Sequence, residues 1–324
     1  MSTRASGVQA PVIGAEVRKP RGLNSRSVFM PFAPSSPADF GKLLAGAEEL
    51  RNLGFQVGDA TPLIPEGYFA GSVAGRRNEL QSELERNDVD ALVAIRGGYG
   101  SNYLLDDFEV RRADAPKIIL GYSDLTSLQA YLWRCYAWVG FYGPMLAAGL
   151  DAGDGAPKGY DRASLLAAIG KTDGGWKLNL GGETLVGGEA EGRVVGGCMT
   201  LVETTLGTPW ELETGGAILL LEDRGMKPWQ VDRALMHLKQ ARKFEGVRGI
   251  VLGEFPECDA PATGSPTVRD VCARILGVLG VPIVYGAAVG HTTRPMLTVP
   301  LGVKAQIRAR GEGELEILEP AVVP

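Results

Sequence analysis

The chain is poor in the residues that build metal and disulfide sites. Its 324 residues include four cysteines and two histidines. Cys135, Cys198, Cys258 and Cys272 are widely scattered and form no C-x-x-C pair, so a zinc site is disfavoured and reduced, buried thiols are expected. No apolar run is long enough to span a bilayer. The nearest, Ala137 to Leu150, is broken by glycines and a proline. Arg4 is followed by no continuous apolar stretch, so a secretory signal is not expected and the reading is cytoplasmic. The net charge of −5 lacks the basic excess of an obligate nucleic-acid binder. No G-x-x-x-x-G-K-[ST] phosphate loop occurs, nor any internal repeat or low-complexity tract.

With 45% hydrophobic and 22% charged residues, the chain reads as an ordinary globular protein, long enough for two domains. After a tail over residues 1–27, with Arg18, Lys19, Arg21 and Arg26 around Pro20, strand and helix patterns alternate. Val28 to Phe32 reads as a strand, Phe40 to Leu53 as a helix closed by Gly54, and Phe55 to Val57 as a strand. Arg76 to Arg86 reads as a helix, with Ala91 to Ile95 and Ile118 to Leu120 as buried strands. This alternation predicts an α/β fold with a Rossmann-like parallel sheet over residues 28–150. Residues 151–187, rich in glycine and aspartate, read as connecting loops with one short helix at Ala163 to Ala168. Residues 188–324 read as a smaller C-terminal domain of mixed strands and helices, including helices over Val231 to Phe244 and Val268 to Leu279.

Three polar groups follow apolar runs. Ser123 lies in Gly121-Tyr-Ser-Asp-Leu125, between a β-branched run and a helix-like segment. That is the arrangement of a nucleophile elbow, although Leu125 replaces the second glycine of G-x-S-x-G. A serine there also serves as an ordinary helix N-cap, and Asp124 suits a helix N-terminus for its charge alone. Glu222 ends the run Ala217 to Leu221, where a carboxylate needs solvent or a partner. It either orients a histidine or, with Asp223, pairs with Arg224 or Arg233. His291 lies in a glycine-containing loop after Pro282 to Tyr285 and is the candidate base. His237 lies on an amphipathic helix whose Leu235 and Leu238 read as core. Arg96-Gly-Gly-Tyr-Gly-Ser101 is a glycine-rich turn that misses the G-x-G-x-x-G spacing. It is a tight turn, a phosphate cradle, which the missing spacing disfavours, or a source of N–H donors for an oxyanion opposite Ser123, each such donor worth about 3 kcal/mol.

Together, and in this order, the segments resemble the LD-carboxypeptidase family of serine peptidases, which includes the microcin C self-immunity peptidases. The pieces are Ala33-Pro-Ser35, Gly67-Tyr-Phe-Ala-Gly-Ser72, Arg96 to Ser101, Gly121 to Thr126, Gly143-Pro-Met145, Gly196-Gly197, Leu206-Gly-Thr-Pro209, Leu221-Glu-Asp223, Asp232-Arg233, Gly290-His291 and Pro300-Leu-Gly302. The resemblance covers Val28 to Leu318. It implies a triad of nucleophile Ser123, base His291 and orienting acid Glu222, split between two domains. It also implies an oxyanion hole from the N–H groups of Gly98 and Asp124, a homodimer, and no metal or cofactor. The implied reaction removes a terminal D-alanine from a murein tetrapeptide.

Departures from the family pattern bear on the substrate. Met226 stands where carboxypeptidases carry glutamate and immunity peptidases tend to carry lysine. Tyr142 stands where histidine is common, and Trp176 lies where an aromatic can stack on a nucleobase. Arg96, Arg224 and Lys227 are the candidates for holding a substrate carboxylate, with Arg96 and Met226 the tentative substrate contacts. Two alternatives stay in view: a hydrolase of peptidyl or aminoacyl nucleotides, and a two-domain binding protein without catalysis.

Overall fold

The structure, a computed structural model, describes residues 16–324 except 61–62, 107, 113, 174 and 260–263. The first fifteen residues of the expected tail lie outside the described residues. From Arg18 onward the segment is docked: Arg18 N–H donates to Ala137 O at 2.8 Å and Gly22 N–H to Val323 O at 2.8 Å.

The first half of the chain runs β1 (Val28–Phe32), α1 (Phe40–Asn52), β2 (Gln56–Val57), α2 (Val73–Glu85), β3 (Ala91–Ala94), α3 (Asn102–Leu105), β4 (Ile118–Gly121), α4 (Thr126–Tyr136) and β5 (Gly140–Tyr142). Asp39 and Ser72 cap α1 and α2 by accepting the N–H of Lys42 and Gly75. β3 and β4 are buried along their whole length, so neither face needs polar residues, and parallel pairing between covering helices follows.

The second half continues with α5 (Arg162–Gly170), β6 (Trp176–Asn179), β7 (Glu183–Val186), β8 (Gly188–Cys198), α6 (Met199–Thr204), β9 (Ala217–Glu222), α7 (Pro228–Gln240), β10 (Gly249–Gly253), α8 (Val268–Leu276), β11 (Ile283–Ala287), β12 (Val299–Leu301), β13 (Lys304–Ala309) and β14 (Glu314–Ile317). The expectation of an α/β protein with a parallel-sheet first part and a mixed second part holds. One sheet has six strands in the order β12-β5-β4-β3-β1-β2, and the other has eight, β6-β14-β13-β8-β9-β10-β11-β7. Every pair in the first sheet is parallel except β12 with β5. β12 thus returns late in the chain to close the edge beside β5. In the second sheet β8 to β11 are parallel and the outer strands antiparallel.

Two features differ from the pattern read in the sequence. Residues 151–187, expected to be mostly loop, include β6 and β7. These are edge strands with largely unburied side chains, so they carry no continuous apolar run. Helix α8 stops at Leu276 and passes into a 3-10 turn over Gly277–Leu279, because glycine weakens the last turn. Among the described residues no helix is long and apolar enough to cross a membrane.

The two sheets meet at α4. Ala130 of this helix packs into the core built on β9 and α7, while Leu128, Tyr131 and Leu132 pack into the core built on the first sheet. Cys198 N–H, at the end of β8, donates to Thr126 Oγ1 in the first turn of α4 at 3.1 Å. A Cβ on Gly197 would stand 2.6 Å from Thr126 Oγ1, so glycine lets the end of β8 touch the start of α4. The carboxyl ends of β4 and β9 are thereby brought side by side, where parallel sheets commonly carry their sites.

Candidate active site

β4 ends at Gly121 and the chain turns through Tyr122 into a single 3-10 turn, Ser123–Leu125, before α4 begins. Ser123 has φ +63°, a left-handed backbone that a residue with a side chain adopts only under constraint. That is the strained elbow expected at this position. The missing second glycine has a structural reason. A Cβ on Gly121 would lie 2.5 Å from Leu125 Cδ2, so the first glycine makes the room that Leu125 uses.

Asp124 is buried and locks the elbow. Its Oδ2 accepts from Ser35 Oγ at 2.6 Å and from Ser101 N–H at 2.8 Å, and its carbonyl accepts from Ser101 Oγ at 2.6 Å. Burial raises its carboxyl pKa, opposed by those hydrogen bonds. Through Ser101 the elbow is tied to the glycine-rich turn. That turn lies against the nucleophile candidate: a Cβ on Gly97 would stand 2.9 Å from Ser123 Cβ and 3.1 Å from its Oγ. Gly98, at φ +108°, faces Ser36, whose Oγ would be 2.3 Å from an added Cβ. Among the described residues neither the Gly98 nor the Asp124 backbone N–H donates to a protein acceptor.

Glu222 ends β9 with no exposure at all, and His291 follows β11 with its side chain 15% exposed. Glu222 Oε2 accepts from His291 N–H at 2.9 Å and faces His291 Nδ1 at 2.8 Å. Its Oε1 accepts from the hydroxyl of Tyr142 at 2.5 Å. Gly290, at φ +62°, is required here, because a Cβ would lie 2.4 Å from the Glu222 carboxyl carbon. Burial alone would push the Glu222 carboxyl up, but the charge and hydrogen bonds of His291 and Tyr142 outweigh it and hold the carboxyl below its ordinary value. Burial likewise pulls the imidazole down, yet the Glu222 charge and hydrogen bond, with Asp223 adding to them, raise it above 6.5. The alternative ion pairs are not formed. Asp223 accepts from Thr200 N–H and Oγ1 at 2.8 and 2.7 Å, Arg224 pairs with Glu257 at 2.6 Å, and Arg233 lies over the Trp229 ring at 5.3 Å.

The halves of the site meet in two places. The Tyr122 ring meets the His291 ring edge to face, 5.0 Å between centroids. Tyr142 OH, besides donating to Glu222, accepts from Ser123 N–H at 3.4 Å. A serine on an elbow, an imidazole packed on the tyrosine that precedes it and a buried carboxylate on that imidazole's Nδ1 are the parts needed to activate an alcohol for acyl transfer.

The remaining candidates spread around this centre. Arg96 is exposed, with Nη1 on Pro37 O at 3.1 Å, and its charge is felt at the buried Tyr122 hydroxyl. Met226 is half-buried in the loop after β9, its Sδ 3.6 Å from Thr200 Oγ1. Lys227 caps α7 and is exposed. His237 is a surface residue, its Nδ1 2.8 Å from Glu203 Oε1. Trp176 does not sit in a loop. It opens β6, paired with Ile317, four strands away from β9. A cavity of about 1020 Å³ lies away from this site. It is lined by Lys19, Trp133, Arg134, Arg193, Glu213 and Glu319, and it touches β9 at Ala217, the opposite end from Glu222. Tyr142 was legible in the sequence only as a departure. Its signal was a hydroxyl in an otherwise apolar strand.

The chain is similar to known proteins over most of its length. The profile of the LD-carboxypeptidase N-terminal domain matches residues 31–143 and that of the C-terminal domain residues 191–307. A Bacillus subtilis protein named "Probable murein peptide carboxypeptidase" is 34% identical over 89% of this chain and 90% of its own length. The microcin C7 self-immunity protein MccF of Escherichia coli is 29% identical over 86% of this chain and 89% of its own. Among solved structures, muramoyltetrapeptide carboxypeptidase from Oxalobacter formigenes superposes with a TM-score of 0.80 at 24% identity, covering 91% of this chain and 99% of that one. At that identity the likeness speaks for the fold.

Proposed function

The chain belongs to the LD-carboxypeptidase family of serine peptidases, and from there we propose that Ser123, His291 and Glu222 are its catalytic triad and that it removes the terminal D-alanine from a murein tetrapeptide. The observation that carries this reading is the buried Glu222–His291 pair, 2.8 Å apart, joined through Tyr142 OH to the backbone of a serine held at φ +63°. His291 takes the Ser123 proton through Nε2 as Oγ attacks the scissile carbonyl. Glu222 keeps the other nitrogen protonated and stabilises the imidazolium that forms. The N–H groups of Gly98 and Asp124 receive the oxyanion. His291 then protonates the leaving amine of D-alanine, and water repeats the sequence on the acyl-enzyme. Arg96 receives the substrate carboxylate, because it stands exposed beside the turn whereas Arg224 is engaged by Glu257. The enzyme works in the cytoplasm as a homodimer.

The sign of the pH dependence follows. His291 is competent only when neutral, and its raised pKa delays that state. The acid limb of kcat/KM therefore has its midpoint above the ordinary imidazole value of 6.5. A rate profile in the free-enzyme regime checks this, and a midpoint below 6.5 removes Glu222 as its partner.

Met226 carries neither the glutamate of the carboxypeptidases nor the lysine of the immunity peptidases, so one rival substrate is tested beside the murein peptide. Incubation with a murein tetrapeptide and, separately, with an aminoacyl-sulfamoyl adenosine, read by mass spectrometry, separates the two. Loss of one D-alanine is expected. Cleavage of the adenosine compound alone would replace the murein reading with the nucleotide one.

A further inference from the structure

Among the described residues, the hydroxyl of Tyr142 is hydrogen-bonded to both halves of the site. It lies at the end of β5, fully buried, beside β4 in the first sheet, yet it bonds to the acid that ends β9 in the second. We infer that Tyr142 is a positioning residue for the reaction: its hydroxyl clamps the buried carboxylate of Glu222 and ties it across the two sheets to the backbone of the nucleophile elbow.

The donor inventory carries this inference. Glu222 has two carboxylate oxygens and no solvent. Oε2 is served by His291 through two N–H groups, and Oε1 by Tyr142. The backbone closes on this side chain, since Cβ atoms added at Gly253 and Gly290 would meet the Glu222 Cβ and carboxyl carbon at 2.5 and 2.4 Å. Tyr142 is held in turn by the end of β8, where a Cβ on Gly197 would meet its ring at 3.1 Å. Burial and the Glu222 charge keep the phenol protonated well above its ordinary pKa, so it remains a donor throughout the working range. The other groups facing the pair are Asp223 and Arg224 beyond β9, Cys198 at the end of β8, Tyr122 before the elbow, and Glu257. Of these, none donates a hydrogen bond to Oε1.

A hydrogen bond to an ionised group disperses its charge. Without it the anionic Glu222–His291 pair binds its next proton more tightly, whichever atom receives it. Tyr142→Phe keeps the ring and removes only that bond. It should lower kcat/KM by roughly ten- to a hundredfold and move the acid limb to higher pH. The inference rests on the triad proposed above, and the test separates the two. The chain has two histidines, so NMR titration of the His291 imidazole, assigned with His291→Ala, reads the same shift without turnover. In a Glu222→Gln background, Tyr142→Phe should leave the His291 titration unchanged, because Tyr142 acts through the carboxylate. A limb and an imidazole titration that stay at their wild-type positions in Tyr142→Phe overturn the inference while the triad stands. Full activity in His291→Ala overturns the triad, and the inference with it.

Discussion

Ser123→Ala is expected to lower kcat/KM by roughly four to six orders of magnitude and to leave the fold unchanged. The size of the loss follows from the site's division of labour. On the triad proposed above, the Glu222–His291 pair serves the oxygen that attacks, and without Oγ it has no nucleophile to activate. What remains is binding and the polarising effect of the oxyanion donors, which leave only a slow attack by water. The fold survives because the hydrogen bonds that tie down Asp124 and the glycine-rich turn do not run through Oγ. The elbow is held instead by Asp124, Ser35 and Ser101, and alanine meets the same strain at φ +63° as serine does. A steady-state assay on murein tetrapeptide, with a thermal melt of both proteins, checks the two halves. Loss of activity accompanied by unfolding would say that Ser123 is structural.

Glu222→Gln is expected to cost about 10⁴ in kcat and to reverse the direction of the His291 shift. The amide preserves volume but not charge. Burial alone pulls the imidazole down, and in the native protein the carboxylate overrides it. With glutamine in place, burial prevails, so the imidazole should titrate below its wild-type value. The buried amide must also turn its NH₂ toward a donor, either Tyr142 OH or the His291 N–H groups, and so lose at least one of the three bonds that Glu222 accepts. NMR titration of His291 in the variant checks the direction. An imidazole titrating at or above the wild-type value would contradict the electrostatic role of Glu222. Tyr142→Phe moves the same group upward, so the two variants form an opposed pair.

Much of this was legible in the sequence because parallel-sheet proteins write their sites at strand ends. Buried runs such as Ala91 to Ile95, Ile118 to Leu120 and Ala217 to Leu221 are unmistakable where both faces are covered, and the polar residue that ends each run is conspicuous. Ser123, Glu222 and His291 stood out for that reason. Edge strands were not legible. β6 and β7 leave most of their side chains unburied, and β12 has only three residues, two of them flanking a proline. The partnerships were not legible either. Glu222 reaches His291 across 69 residues and Tyr142 across 80, and no local pattern records such a contact. Asp124 read equally well as a helix N-terminal charge. Only the fold shows it turned inward onto Ser35 and Ser101. Trp176 was placed in a loop because aromatic residues at an edge strand and in a glycine-rich connection share the same neighbours in sequence.

The central proposal is Ser123 as a nucleophile activated by His291. Labelling with an active-site phosphonate, followed by intact mass and peptide mapping, tests it without a choice of substrate. One phosphonyl group per chain is expected, on Ser123, at a rate that falls with decreasing pH along the same limb as kcat/KM, and no label is expected in Ser123→Ala. Labelling at another residue, or no labelling of a folded wild-type protein, would contradict it.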